Sequence, residues 1–320
     1  MRILVLGSGA FALPSLDWLR ASGHELVAVV TQAAKESGRG RRVTATPVGQ
    51  AAASAGFPVI QTPDVNAPEI IAELRDHAPD LAVVIAFGQK IQAQLRAVAP
   101  LGFINLHASL LPRYRGAAPI NWAIVRGETR TGCTVFEIVD RMDAGPILSS
   151  VETDILPVET AGELHDRLAV LGVEALRAAI ELYTGGHRPP GQAQDDTLVT
   201  KAPKLEKPDG FIHFAAPAAS VVGRIHGMTP WPGAAAVYRS VADRWENVIF
   251  VRARMVADRP VSGPPGAIDA QGTIACVDRP VELLELKPSS GRVMTWRDYV
   301  NGRHVREGDI FVAPSERRTP

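Results

Sequence analysis

Three side chains here are of types that can serve a tetrahedral carbon. Asn105 and His107 lie in the run Ile104-Asn105-Leu106-His107-Ala108-Ser109, two residues apart. On a strand they therefore point the same way. Asp143 lies in Asp140-Arg141-Met142-Asp143-Ala144-Gly145, a turn after another strand-like run. An amide and an imidazole can donate to a developing oxyanion, and a carboxylate can accept or relay a proton. Taken singly, His107 would pass as a satisfied core histidine and Asp143 as a turn acid or helix cap. Taken together at strand ends, an acyl-transfer site is the stronger reading.

Two polar stretches accompany them. Ser109-Leu110-Leu111-Pro112-Arg113-Tyr114-Arg115-Gly116 is marked as a loop by its Pro and Gly. Its leucines either cap the core or line a pocket for a flat ring, and Arg115 either clamps an anion or pairs with an internal acid. Lys35, Arg39, Arg41 and Arg42 gather around one acid, Glu36, and two glycines. That run is either a solvated loop or an arm for a phosphate backbone.

The elements that must position these residues follow from periodicity. Residues 2–6, 26–31, 81–86 and 103–106 read as buried strands, with helices at 11–21 and 67–77. This alternation predicts an α/β fold with a parallel-rich sheet and helices on both faces. Ligands of such sheets bind beyond the carboxyl ends of the strands, where Asn105, His107 and Asp143 are all expected. A strand at 129–139 and a long helix at 162–182 complete a domain of residues 1–190, and residues 191–203 read as a linker. From 204 to 314, short runs at 234–238, 248–254, 273–277 and 281–286 alternate with Gly, Pro and Asp, the texture of a small antiparallel barrel or sandwich. A short helix is expected at 296–299 and a disordered tail at 315–320.

Composition narrows the functional classes. The 320 residues carry no net charge, so a nucleic-acid surface has to be a local patch. Before Lys204 there are 18 basic and 21 acidic residues, and from it onward 16 and 13, an asymmetry too small to decide anything. Cys133 and Cys276 alone signal neither a disulfide framework nor a Cys-x-x-Cys metal site. No apolar run suits a membrane span and the N-terminus lacks a signal peptide, which together point to the cytoplasm. Gly7-Ser8-Gly9-Ala10-Phe11-Ala12 mimics a dinucleotide fingerprint. The acid that would hold the ribose is missing, because the second strand ends in Thr31-Gln32. A tight strand-to-helix turn is preferred over a nicotinamide site.

On these residues the chain resembles the methionyl-tRNA formyltransferases from residue 1 to about residue 312. The resemblance is carried by residues 104–120 and 140–146, by Thr31-Gln32 with Gly38-Arg39-Gly40, by Thr197 to Leu205, and by Pro230-Trp231-Pro232-Gly233-Ala234. The first two segments define the wider folate-dependent formyltransferases; the later ones select the tRNA enzymes. The resemblance implies a Rossmann-like catalytic domain and a C-terminal barrel of OB type. It implies formyl transfer from 10-formyltetrahydrofolate to the α-amine of methionyl initiator tRNA for translation initiation, by a monomer without a metal. Asn105, His107 and Asp143 match the family's catalytic trio. Ser109, Leu110, Leu111 and Pro112 match its folate loop, whose leucines wall the pterin with the loop around Asp140, while the backbone of Ile85 to Gly88, with Phe87 and Gly88, offers it amides. Lys35, Arg39, Arg41 and Arg42 correspond to its tRNA arm. Two segments depart from the family pattern: Ala33-Ala34-Lys35-Glu36 stands where Pro-Asp-Arg is usual, and Gly7-Ser8-Gly9 where Gly-Thr-Pro is common. The nearest rival is a sugar-amine formyltransferase using the same folate donor. A nucleic-acid-binding protein without catalysis would leave the trio unemployed.

Overall fold

The computed structural model describes residues 1–37, 42–289 and 291–316. They fall into two compact units, each discontinuous along the chain. The first comprises Met1–Gly116, Gly132–Thr153 and His165–Lys201; the second comprises Ala117–Thr131, Asp154–Leu164 and Ala202–Pro320. No helix among the described residues is long and apolar enough to cross a membrane.

In the first unit the strands of three residues or more are β1 (Arg2–Gly7), β2 (Glu25–Gln32), β3 (Lys35–Ser37), β4 (Arg42–Thr44), β5 (Val59–Thr62), β6 (Leu81–Ile85), β7 (Phe103–His107), β8 (Arg130–Glu137) and β9 (Ile147–Asp154). Seven of them form one sheet in the order β9-β8-β7-β6-β1-β2-β5, and β3 and β4 form a separate antiparallel pair. The run from β7 through β6, β1 and β2 to β5 is parallel. β1 and β6 are buried along almost their whole length, which is why both read as unbroken apolar runs. The chain moves outward from β1 to β2 and β5, then crosses back to β6 and β7. The switch in direction therefore lies between β1 and β6.

The helices are α1 (Leu13–Ala21), α2 (Pro47–Ser54), α3 (Pro68–Asp76), α4 (Ala93–Arg96), α5 (Pro119–Val125), α6 (Ala161–Glu181), α7 (Ala218–Gly227) and α8 (Trp296–Arg303). α6 matters for the site through Gly172. A Cβ there would come within 3.0 Å of Leu106 and 3.3 Å of the Cys133 sulfur. Its absence lets α6 lie directly on β7 and β8. Leu106 faces that helix, so its neighbours Asn105 and His107 face the other side of the sheet.

β8 runs antiparallel to β7, pairing Thr134 with His107 and Glu137 with Ile104. The turn bearing Asp143 therefore leaves the sheet where β7 begins, because the strand before it is reversed, and its carboxylate still reaches the Gly116 amide in the loop after β7.

The second unit is built on an antiparallel, nearly closed barrel of β10 (Ala234–Arg239), β11 (Trp245–Met255), β12 (Ile274–Ala275), β13 (Pro280–Pro288), β14 (Met294–Thr295) and β15 (Ile310–Val312). The order is β12-β13-β11-β10-β15, with β14 on β13. Ala267 bridges Ile310 and Ile268 bridges Ile274, so one short segment joins the two edges. Phe214, Tyr238, Phe250, Trp296, Tyr299 and Phe311 fill the interior. The run expected at 273–277 pairs only over Ile274–Ala275, and the late helix extends to Arg303, capped by Thr295. Of the expected tail, Ser315 and Glu316 belong to a 3-10 turn, Pro314–Glu316, and residues 317–320 lie outside the described residues.

Candidate active site

β7 presents Asn105 half-buried and His107 buried at its end. Nε2 of His107 lies 3.0 Å from the carbonyl oxygen of Tyr114. A carbonyl only accepts, so the proton is assigned to Nε2. Nδ1 is left without a hydrogen-bond partner among the described residues, and so is the Asn105 carboxamide. Phe136 packs edge-on against the His107 ring, with centroids 6.4 Å apart.

The loop after β7 brings Asp143 to the same place. Tyr114 holds His107, and two residues later the Gly116 amide donates to Oδ2 of Asp143 at 2.8 Å. No hydrogen bond or ion pair joins His107 and Asp143 directly among the described residues. Asp143 and Tyr114 both sit in the left-handed region, at φ 51 and 61. Gly145 has to be glycine, since a Cβ there would overlap the Glu137 carbonyl.

The four residues expected to contact folate in this loop divide sharply. The Ser109 hydroxyl is buried and donates to the Arg113 carbonyl at 2.7 Å, while Thr134 donates to the Ser109 carbonyl. The amide of Leu111, which is buried, donates back to the Thr134 hydroxyl at 3.1 Å. Leu110 and Pro112 are half-buried. Ser109 thus has a structural job, and only the half-buried apolar surface of the loop is left for a ring.

Asp140 is highly exposed and sits 2.5 Å from the Arg96 guanidinium, which holds its carboxyl below the usual carboxylate range. Phe87 is buried, and its carbonyl accepts from the Gln32 side chain at 2.6 Å. Gly88 has φ 78, and a Cβ there would press on that same side chain. The Phe87 and Gly88 amides have no partner among the described residues, which leaves two donors beside the β1/β6 switch.

The glycine turn is used differently from a dinucleotide loop. The amides of Ser8 and Gly9, which would face a pyrophosphate, instead donate to the Ala86 carbonyl at 3.3 and 3.2 Å. Arg115 is likewise committed. Its guanidinium is 9% exposed and donates to Gln194 and Asp196, so the internal-pair reading holds.

Of the basic arm, Lys35 starts β3 and Arg42 starts β4, with Ser37 opposite Arg42 in the register. Arg39 and Arg41 lie outside the described residues. Cys133 and Cys276 are both buried, which pushes their thiols up to about 12. Sequence reasoning missed Gln194 and Thr200, in the stretch taken for a linker. Thr200 accepts from the Tyr114 amide through its hydroxyl and from the Arg115 amide through its carbonyl.

Comparison with known proteins gives concordant results. Residues 1–180 match the family model described as formyl transferase, and residues 204–304 match its C-terminal domain. A methionyl-tRNA formyltransferase of Moorella thermoacetica is 43% identical over 97% of this chain and 99% of its own length. That of Syntrophus aciditrophicus is 38% identical over 97% and 98%. Among solved structures, HypX from Aquifex aeolicus in complex with tetrahydrofolic acid aligns with a TM-score of 0.62 at 18% identity, over 96% of this chain. This chain spans about half of HypX, 48%. WlaRD, a sugar 3N-formyl transferase, aligns with a TM-score of 0.63 at 13% identity, over 91% of this chain and 99% of that one. At such identities the structural matches speak for the fold alone.

Proposed function

We propose that this chain, which belongs to the formyl transferase family and within it to the methionyl-tRNA formyltransferases, moves the formyl group of 10-formyltetrahydrofolate to the α-amine of methionyl initiator tRNA. The amine attacks the formyl carbon, a C–N bond forms, and the carbonyl oxygen becomes an oxyanion. Collapse breaks the bond to N10 of the folate. The amine loses a proton, N10 gains one, and the products are N-formylmethionyl-tRNA and tetrahydrofolate.

The observation that carries this reading is an unpartnered Asn105 carboxamide on the same strand face as a His107 already anchored through Nε2. Asn105 donates to the oxyanion, and one such donor lowers the barrier by about 3–4 kcal/mol. His107, held by Tyr114 through Nε2, turns Nδ1 toward the same centre and donates to the oxyanion in its doubly protonated form, with a proton on each ring nitrogen. Asp143 takes the amine proton directly or through a water, since Oδ2 is engaged by Gly116 and Oδ1 is not.

The folate ring is taken up on the half-buried Leu110 and Pro112 and by the free amides of Phe87 and Gly88. Asp140 contributes from the rim beside Arg96. Lys35, Arg39, Arg41 and Arg42 contact the tRNA backbone. The enzyme acts in the cytoplasm as a monomer.

The test is incubation with 10-formyltetrahydrofolate and methionyl-tRNA, followed by detection of N-formylmethionine. Transfer to a nucleotide-linked amino sugar, with charged tRNA left untouched, would replace this reading by the sugar-amine one.

A further inference from the structure

The segment 191–203 contains a side chain that joins the two halves of the candidate site. Nε2 of Gln194 donates to the Asp143 carbonyl at 2.9 Å and to the Gly145 carbonyl at 2.8 Å. Its Oε1 accepts from Nε of Arg115 at 3.1 Å and from Nη2 at 2.7 Å. The amide is thus used completely and in one orientation: donors toward the Asp143 turn, acceptor toward the guanidinium. Neither Glu nor an apolar residue can make both sets of contacts.

Arg115 directly precedes Gly116, whose amide holds the Asp143 carboxylate. The same two chain segments are therefore tied twice, once through the Asp143 side chain and once through its backbone. Asp196 locks the far side by accepting from Arg115 at 3.1 Å and from Arg141 at 2.6 and 2.7 Å. The Arg141 and Arg115 guanidiniums hold the Asp196 carboxyl below its ordinary range. Asp143 has φ 51, a conformation that L-residues other than Asn and Asp seldom hold and that persists only where surroundings impose it. Of the two carbonyls bound by Gln194, one is that residue's own and the other belongs to Gly145, two residues on.

We infer that Gln194 is a positioning residue for formyl transfer, acting through Asp143 and braced by Arg115. The inference rests on the function proposed above, and it treats the apparent linker as part of the catalytic unit.

The test compares wild type with Gln194→Ala, Gln194→Glu, Asp143→Ala and the double variant Asp143→Ala/Gln194→Ala, in kcat, in KM for folate and tRNA, and in melting temperature. Gln194→Glu keeps the acceptor for Arg115 and loses both donors. Both single Gln194 variants should lose about 10- to 100-fold in kcat, with each KM within about threefold of wild type and the melting temperature held. The double variant should be no slower than Asp143→Ala, because Gln194 has nothing left to position. Wild-type kcat in Gln194→Glu, or losses that multiply in the double variant, would overturn the inference. If wild type formylates an amino sugar instead of tRNA, the earlier reading fails, and the same comparison is read with that acceptor.

Discussion

The Gly116 amide donates to Oδ2 of Asp143 at 2.8 Å, so the loop that follows the histidine strand also fixes the carboxylate. One carboxylate oxygen is thereby engaged, and under the proposed function the other takes the proton. Asp143→Asn keeps an acceptor for Gly116 and removes the charge. We expect kcat to fall by about 10²–10⁴, the span of general acid–base effects, with the melting temperature preserved. Steady-state kinetics beside a thermal melt check both halves, and near-wild-type turnover would dismiss Asp143 as the proton acceptor.

Asn105 offers a cleaner separation of stability from catalysis. Its carboxamide has no partner among the described residues, so Asn105→Ala removes no internal hydrogen bond. Stability should stay within about 0.5 kcal/mol of wild type. The transition state, however, loses a donor, and kcat should drop by about 10²–10³. His107→Ala should behave differently, because it also releases the Tyr114 carbonyl and loosens the loop. Urea unfolding of the two variants would tell them apart, and equal stability losses would contradict the assigned contacts.

The parts of the fold that sequence made legible are those where burial alone dictates pattern. β1 and β6 are apolar on both faces, and their spans were readable to within a residue. β9 escaped notice because its alternating exposure resembles a polar surface run, Ser149-Ser150-Val151-Glu152-Thr153. α7 was hidden by its Ala and Gly content. Gly223 and Gly227 let it approach α5 so closely that a Cβ at Gly227 would press on Val125 and Asn121. Asn105, His107 and Asp143 were legible as candidates because polar groups at strand ends need a reason. Gln194 was not, since a polar residue in a Gly- and Pro-rich stretch matches a linker equally well. Only the tertiary fold supplies Arg115 as its partner.

Binding of the two substrates should respond differently to salt. On the proposed function the run with Lys35, Arg39, Arg41 and Arg42 acts on phosphates, and each neutralised phosphate of a single strand then adds about 0.7 to the slope of log affinity against log salt, somewhat more in a duplex. Raising salt should therefore weaken tRNA steeply and folate little. Arg39→Ala and Arg42→Ala should each raise KM for tRNA and flatten that slope, leaving KM for folate alone. A tRNA affinity indifferent to salt would remove the arm from recognition.

Acid sensitivity of the second unit should trace to one imidazole. His226 is buried in α7, and its Nε2 accepts from the Ala253 amide at 3.2 Å. Burial first, and the nearby Arg252 charge second, push its pKa down from 6.5 to about 4, against a smaller opposing pull from Glu163. The folded state thus keeps His226 neutral where the unfolded chain already takes a proton. Its contribution to stability is complete above pH 6.5 and is lost as pH falls toward 4, at about 1.4 kcal/mol per pH unit and about 3 kcal/mol in all. His226→Gln keeps an acceptor for Ala253 and cannot be protonated. Urea unfolding at pH 7.5 and pH 4.5 should show wild type losing more stability than His226→Gln between the two. Carboxylates and other histidines titrate alike in both proteins and cancel in the difference. Equal losses would mean that His226 is already protonated in the folded protein or is reached by water.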